Sequence, residues 1–158
     1  MEKLNFSEIL LRTAVCAIAC DGDVDEREKE MLFNIEKNLE YFSEIDLSSS
    51  LEKVIHECTT DLKLFNDNLF KSLDEVELNI VEELTILEVS FRIIAADDIE
   101  QKSEQDFIIN LIQHLDVDIE IIRQRFGTID YLENNESEFR SFDTSIDIES
   151  IQINNKKK

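Results

Sequence analysis

The sequence predicts an all-α fold, a compact helical domain of about seven helices. The first observation behind this is the scarcity of punctuation: 158 residues hold two glycines and no proline. Sheet proteins need turn residues at many corners, and nucleotide-binding folds need glycine where backbone meets phosphate. With only Gly22 and Gly127 available, neither a P-loop nor a dinucleotide fingerprint can be written. The second is that apolar residues recur at steps of three and four, the period of one helix face. The third is a helix–loop–helix unit that occurs twice at a constant offset. Apolar residues make up 42% of the chain, enough for a globular core at this length.

Helix one is expected from Asn5 to Cys20, with Asn5 as cap and Glu8 returning the capping-box bond. Ile9 to Ala19 is apolar apart from Arg12 and Thr13, so this helix should be central. Asp21-Gly22 ends it, because glycine takes the left-handed conformation that terminates helices. Asp25 should cap helix two, with Glu28 three positions on and Met31, Leu32, Ile35, Leu39 and Phe42 as its stripe. Helix three is expected after Ser48-Ser49-Ser50, with Leu51, Val54, Ile55 and Cys58 inward. Helix four should follow Asp61 and bury Leu64, Phe65, Leu69, Phe70 and Leu73. The spacing predicts helix five from near Asp74, turning Ile80, Leu84, Leu87, Phe91 and Ile94 inward. Helix six is expected from Ser103, burying Phe107, Ile108, Leu111, Ile112 and Leu115. Helix seven follows Asp118 and packs through Ile119, Ile122 and Phe126.

The pattern places one helical domain over residues 1–130 and an acidic linker and tail over 131–158. Asn134 to Glu138 lacks an apolar period and reads as linker. Ile146, Ile148, Ile151 and Ile153 alternate in part with polar residues, which leaves two readings: a disordered tail ending in three lysines, or a short strand.

With 16 basic and 37 acidic residues, net charge is −21 at pH 7. Such a surface repels nucleic-acid phosphates and anionic headgroups and favours cations and basic protein patches. Nucleic-acid binding is not expected. No apolar run approaches the roughly 18 residues needed to span a bilayer, so direct membrane insertion is not expected either. The segment Ala17-Ile18-Ala19-Cys20 faintly mimics a lipoprotein cleavage site. Arg12, with Glu2 and Glu8 beside it, breaks the export pattern and makes a cytoplasmic location the expectation. Cys16, Cys20 and Cys58, odd in number, suit a reducing compartment. Buried core thiols are the expectation, with a zinc site alongside His56 as the competing one.

In the duplication, Ala17-Ile18-Ala19-Cys20-Asp21 aligns without a gap with Ile93-Ile94-Ala95-Ala96-Asp97. Glu28 aligns with Glu104, Leu32 with Ile108, Ile35 with Leu111 and Leu39 with Leu115, each 76 residues apart. The first unit, AIACDGDVDEREKEML, resembles the signature of the tellurite-resistance TerB-like domain family: a small apolar helix, Asp-Gly-x-Val, then Glu four residues after the valine. The second, ILEVSFRIIAADDIEQKSEQDFIINLIQHLDVD, is similar to that family's second unit and its closing short helix. In this second loop Asp98 stands in the place of Gly22, and Ile99 comes one residue before the position of Val24. The resemblance spans roughly Phe6 to Phe126. It implies an all-helical, non-enzymatic component of stress response and tellurite resistance, with protein partners in a metal-linked, membrane-proximal complex. The family's acidic positions fall here on Asp21 and Glu28 in the first unit and on Asp97 and Glu104 in the second.

DGDVDEREKE also mimics part of a calcium-binding EF-hand loop, but no register works. With Asp21-Gly22 as the fifth and sixth loop positions, the first and third ligands fall on Ala17 and Ala19. Starting at Asp21 puts Glu26 where glycine is required and Leu32 where the final glutamate belongs. A cation shared between loops is a different arrangement. Asp21, Asp23, Asp25 and Glu28 offer oxygens from one side and Asp97, Asp98 and Glu104 from the other, a set suited to calcium, magnesium or manganese. Two carboxylates ~6 Å apart repel by roughly 3 kcal/mol at an effective dielectric of 20 but by less than ~1 kcal/mol in water. Exposed acids therefore do not require an ion, and caps without metal stand as the other reading.

Catalysis lacks its parts. No serine sits in a nucleophile elbow, and both histidines, His56 and His114, read as structural. Three functions follow in order: a TerB-like interaction module with an acidic metal-responsive face, a metal-independent chaperone- or J-domain-associated adaptor, and a small metal-dependent hydrolase.

Overall fold

The computed structural model describes residues 4–20, 22, 24, 26–38, 46–97, 101–135 and 139. Those residues form eight α-helices: α1 (Phe6–Ala19), α2 (Glu26–Asn38), α3 (Leu47–Thr60), α4 (Leu62–Glu75), α5 (Ile80–Ile94), α6 (Lys102–Gln113), α7 (Ile119–Phe126) and α8 (Asp130–Glu133). A 3-10 turn, Ala95–Asp97, follows α5 directly, and no strand occurs among the described residues. The chain divides into two units, residues 1–116 and 117–158.

The first unit is organised on α1, as its nearly all-apolar sequence requires. Ile9, Leu10, Ala14, Val15, Cys16 and Ala17 are fully buried. α1 packs against α5, its counterpart in the duplication, and also against α3 and α4. α2 packs on α5 and on the 3-10 turn. Ile18 and Ile94, equivalent across the repeat, are both in the core. The repeat is thus two hairpins whose first helices share one interior.

Local signals set most boundaries. Asn5 caps α1 by accepting from the Glu8 N–H at 2.8 Å, while Glu8 accepts from the Asn5 N–H at 3.1 Å. Gly22 adopts φ 91°, and its N–H donates to the Ala19 carbonyl at 2.9 Å, closing α1 as expected. Asp61 accepts from the Leu64 N–H at the start of α4.

Four expectations need correction. Helix five, expected from near Asp74, begins at Ile80 behind a capping box of Asn79 and Glu82. Its inward face is set by Ile86, Leu87, Val89, Ile93 and Ile94, so Ile80 is 46% exposed and Leu84 and Phe91 only half-buried. Helix three starts at Leu47, so Ser48 to Ser50 form its first turn rather than a loop before it. In α4 the buried row is Phe65, Leu69 and Leu73; Leu64 sits one helical step, about 100°, off that row and is 55% exposed. Leu39, Phe42 and the tail isoleucines lie outside the described residues.

In the second unit Asp118 caps α7, accepting from the Glu120 N–H at 2.7 Å. Gly127 at φ 84° ends it, its N–H donating to the Arg123 carbonyl at 2.8 Å. The Arg123 guanidinium forks onto both oxygens of Glu133 at 2.9 Å and also meets Glu120, joining α7 to α8. This pairing holds the Glu133 carboxyl below its ordinary range.

Candidate functional site

Of the seven acids singled out in the sequence, Glu28 and Glu104 have described side chains, and both are buried, at 2% and 1% exposure. Each lies in the first turn of the helix that leaves its acidic loop. Glu104 Oε1 accepts from the Gln101 backbone N–H at 2.8 Å. The charge is therefore turned inward, onto a helix N-terminus where backbone dipoles favour it. Asp21, Asp23, Asp25 and Asp98 lie outside the described residues, and Asp97 is described by backbone alone. Because α2 packs on Ala95–Asp97, the second loop adjoins the helix that issues from the first. Among the described residues no group of three or more His, Cys, Asp or Glu side chains has metal-holding geometry.

Another buried carboxylate, Glu83 of α5, carries no such sequence signal. Its Oε2 accepts from the Asp116 backbone N–H at 2.9 Å, fastening the chain after α6 to α5.

The thiols are core residues. Cys16 and Cys58 are fully buried and free, Cys20 is half-buried, and its Sγ donates to the Ala17 carbonyl at 3.3 Å. Burial, reinforced by the neighbouring Cys58, pushes the Cys16 thiol well above its ordinary range, which keeps it protonated and unreactive. His56 is exposed while Cys58 faces inward, as their helical spacing requires.

His114 has partners that the sequence did not indicate. Its Nδ1 lies 2.8 Å from Asp74 Oδ1, and its ring stacks on Phe70 with centroids 4.7 Å apart. The pair ties the last turn of α4 to the end of α6.

Two surface depressions lie along α3. One of about 400 Å³ is lined by Glu8, Leu11, Asp46 and Val54, and one of about 460 Å³ by His56, Thr60, Leu64 and Phe65. Lys53 and Glu57 line both. Arg12 forks onto Glu57 at 2.9 and 3.4 Å with its guanidinium over the Phe65 ring at 5.2 Å.

No family model, curated protein or solved structure matches this chain. What the coordinates define is an all-α protein with paired buried carboxylates behind two interhelical loops.

Proposed function

We propose that the chain is a non-enzymatic TerB-like module of stress response and tellurite resistance. In this reading it is cytoplasmic and works through protein contacts in a membrane-proximal complex. Its two acidic interhelical loops hold a divalent cation: calcium, magnesium or manganese.

The observation that supports this most is the burial of Glu28 and Glu104 at matching positions 76 residues apart, with α2 against the second loop's 3-10 turn. Burying a carboxylate is costly unless its charge is compensated, yet this fold buries one at the same place in each helix–loop–helix unit. Asp21, Asp23, Asp25, Asp97 and Asp98 complete the oxygen set, which is the ligand chemistry of a hard cation.

Isothermal titration with calcium, magnesium and manganese in turn, on the wild type and on Asp21→Ala/Glu28→Gln, tests it. The expected result is binding heat in the wild type and none in the variant. At a hundredfold excess over Kd such binding stabilises by about 2.7 kcal/mol, a rise of several degrees in Tm. Absence of both heat and Tm change with all three ions removes the cation and leaves a metal-independent adaptor.

A further inference from the structure

We propose that the groove along α3 is a docking surface for a basic amphipathic helix of a partner protein. The groove changes character along its length. At the start of α3 it is acidic, with Glu8 and Asp46 on its walls. At the end of α3 it is apolar, where Leu64 stands 55% exposed beside the buried Phe65.

Size fits a helix. The 14 residues of α3 extend over ~21 Å, about four turns. The two depressions, about 400 and 460 Å³, lie next to each other along α3, with Lys53 and Glu57 on the walls of both. A docked helix anchors through side chains at i, i+3, i+4 and i+7, which span ~10.5 Å. That reaches from the apolar end to the middle of the groove and leaves the partner's remaining turns over the acidic end.

Charge selects the partner. Arg12 is taken up by Glu57 in a two-bond fork, and the rest of the lining carries one lysine, Lys53, against three acids, Glu8, Asp46 and Asp61. The Asp46 side chain makes no capping hydrogen bond to α3, so its carboxylate is available to a cation. A net charge of −21 adds a long-range field that attracts a basic segment and repels a second copy of this chain. The surface uses none of the loop acids, so it stands or falls separately from cation binding.

The test uses a labelled synthetic helical peptide as long as α3, with lysines on its first two turns and leucines at i, i+3 and i+4 of its last two. Fluorescence anisotropy is read for the full chain, Leu64→Ser, Asp46→Asn and Val81→Ser, with circular dichroism checking that each variant stays helical. Val81 is the control: it is 68% exposed but does not line the groove. Binding by the wild type is expected, weakened roughly fivefold or more by Leu64→Ser and Asp46→Asn and unchanged by Val81→Ser. A peptide that does not bind, or that binds all four proteins alike through diffuse charge, overturns the proposal. So does sedimentation showing a wild-type dimer that Leu64→Ser dissociates, because the occupant is then a second copy.

Discussion

Glu83 lies 5% exposed in α5, and its carboxylate accepts the Asp116 backbone N–H at 2.9 Å. Removing the acceptor breaks a part-buried hydrogen bond to a carboxylate, so Glu83→Ala is expected to cost ~2 kcal/mol in urea unfolding. Glu83→Gln retains an acceptor oxygen and should cost less than half as much. Equal losses in the two variants would mean that the charge, not the hydrogen bond, matters. Such residues are hard to read beforehand. Among 37 acidic side chains, one more glutamate inside a helix looks like solvated surface. Glu28 and Glu104 stand out only because the repeat pairs them, and their burial follows from how the hairpins pack. Leu64 errs the other way. Leu64 and Phe65 are adjacent apolar residues, and only the completed row of Phe65, Leu69 and Leu73 decides which faces inward.

Helices announce themselves in this chain through their first turns. α1 and α5 both open with Asn-x-x-Glu and close the same reciprocal pair of bonds, at Asn5 with Glu8 and at Asn79 with Glu82. Asn5 and Asn79 are 74 residues apart whereas the loops are 76 apart, so α5 begins two residues earlier in the repeat. That early start carries Ile80 and Val81 beyond the packed region and accounts for their exposure. It was legible in Asn79 and Glu82, but the acids from Asp74 to Glu77 offered an earlier and false cap. Asn79→Ala should cost ~1 kcal/mol, which lowers Tm by about 2–4 °C in a chain of this size. A change under half a degree would mean that the box is cosmetic and α5 is held by packing alone. α1 offers the comparison: Asn5→Ala removes the corresponding side-chain bond, the one accepted from the Glu8 N–H, from a helix whose burial is more complete, so its relative loss should be smaller.

Across the whole molecule, acids exceed bases by 21 charges, and most described ion pairs lie at the surface, where each contributes little. The fold was readable because its apolar rows and its duplication are independent of that charge. What the charge does is act against compaction, since like charges repel more strongly when the chain is folded than when it is extended. Salt relieves this: between 0.01 and 0.15 M the Debye length falls from about 30 to about 8 Å. Sodium chloride over that range should therefore raise Tm, and by more than it would for a protein near neutrality. A flat or falling Tm would show that local pairs such as Arg12 with Glu57 and Arg123 with Glu133 outweigh the net field. Magnesium chloride matched to the same ionic strength separates screening from a site: equal curves mean screening alone, whereas an additional rise at low magnesium means that specific carboxylates hold the ion.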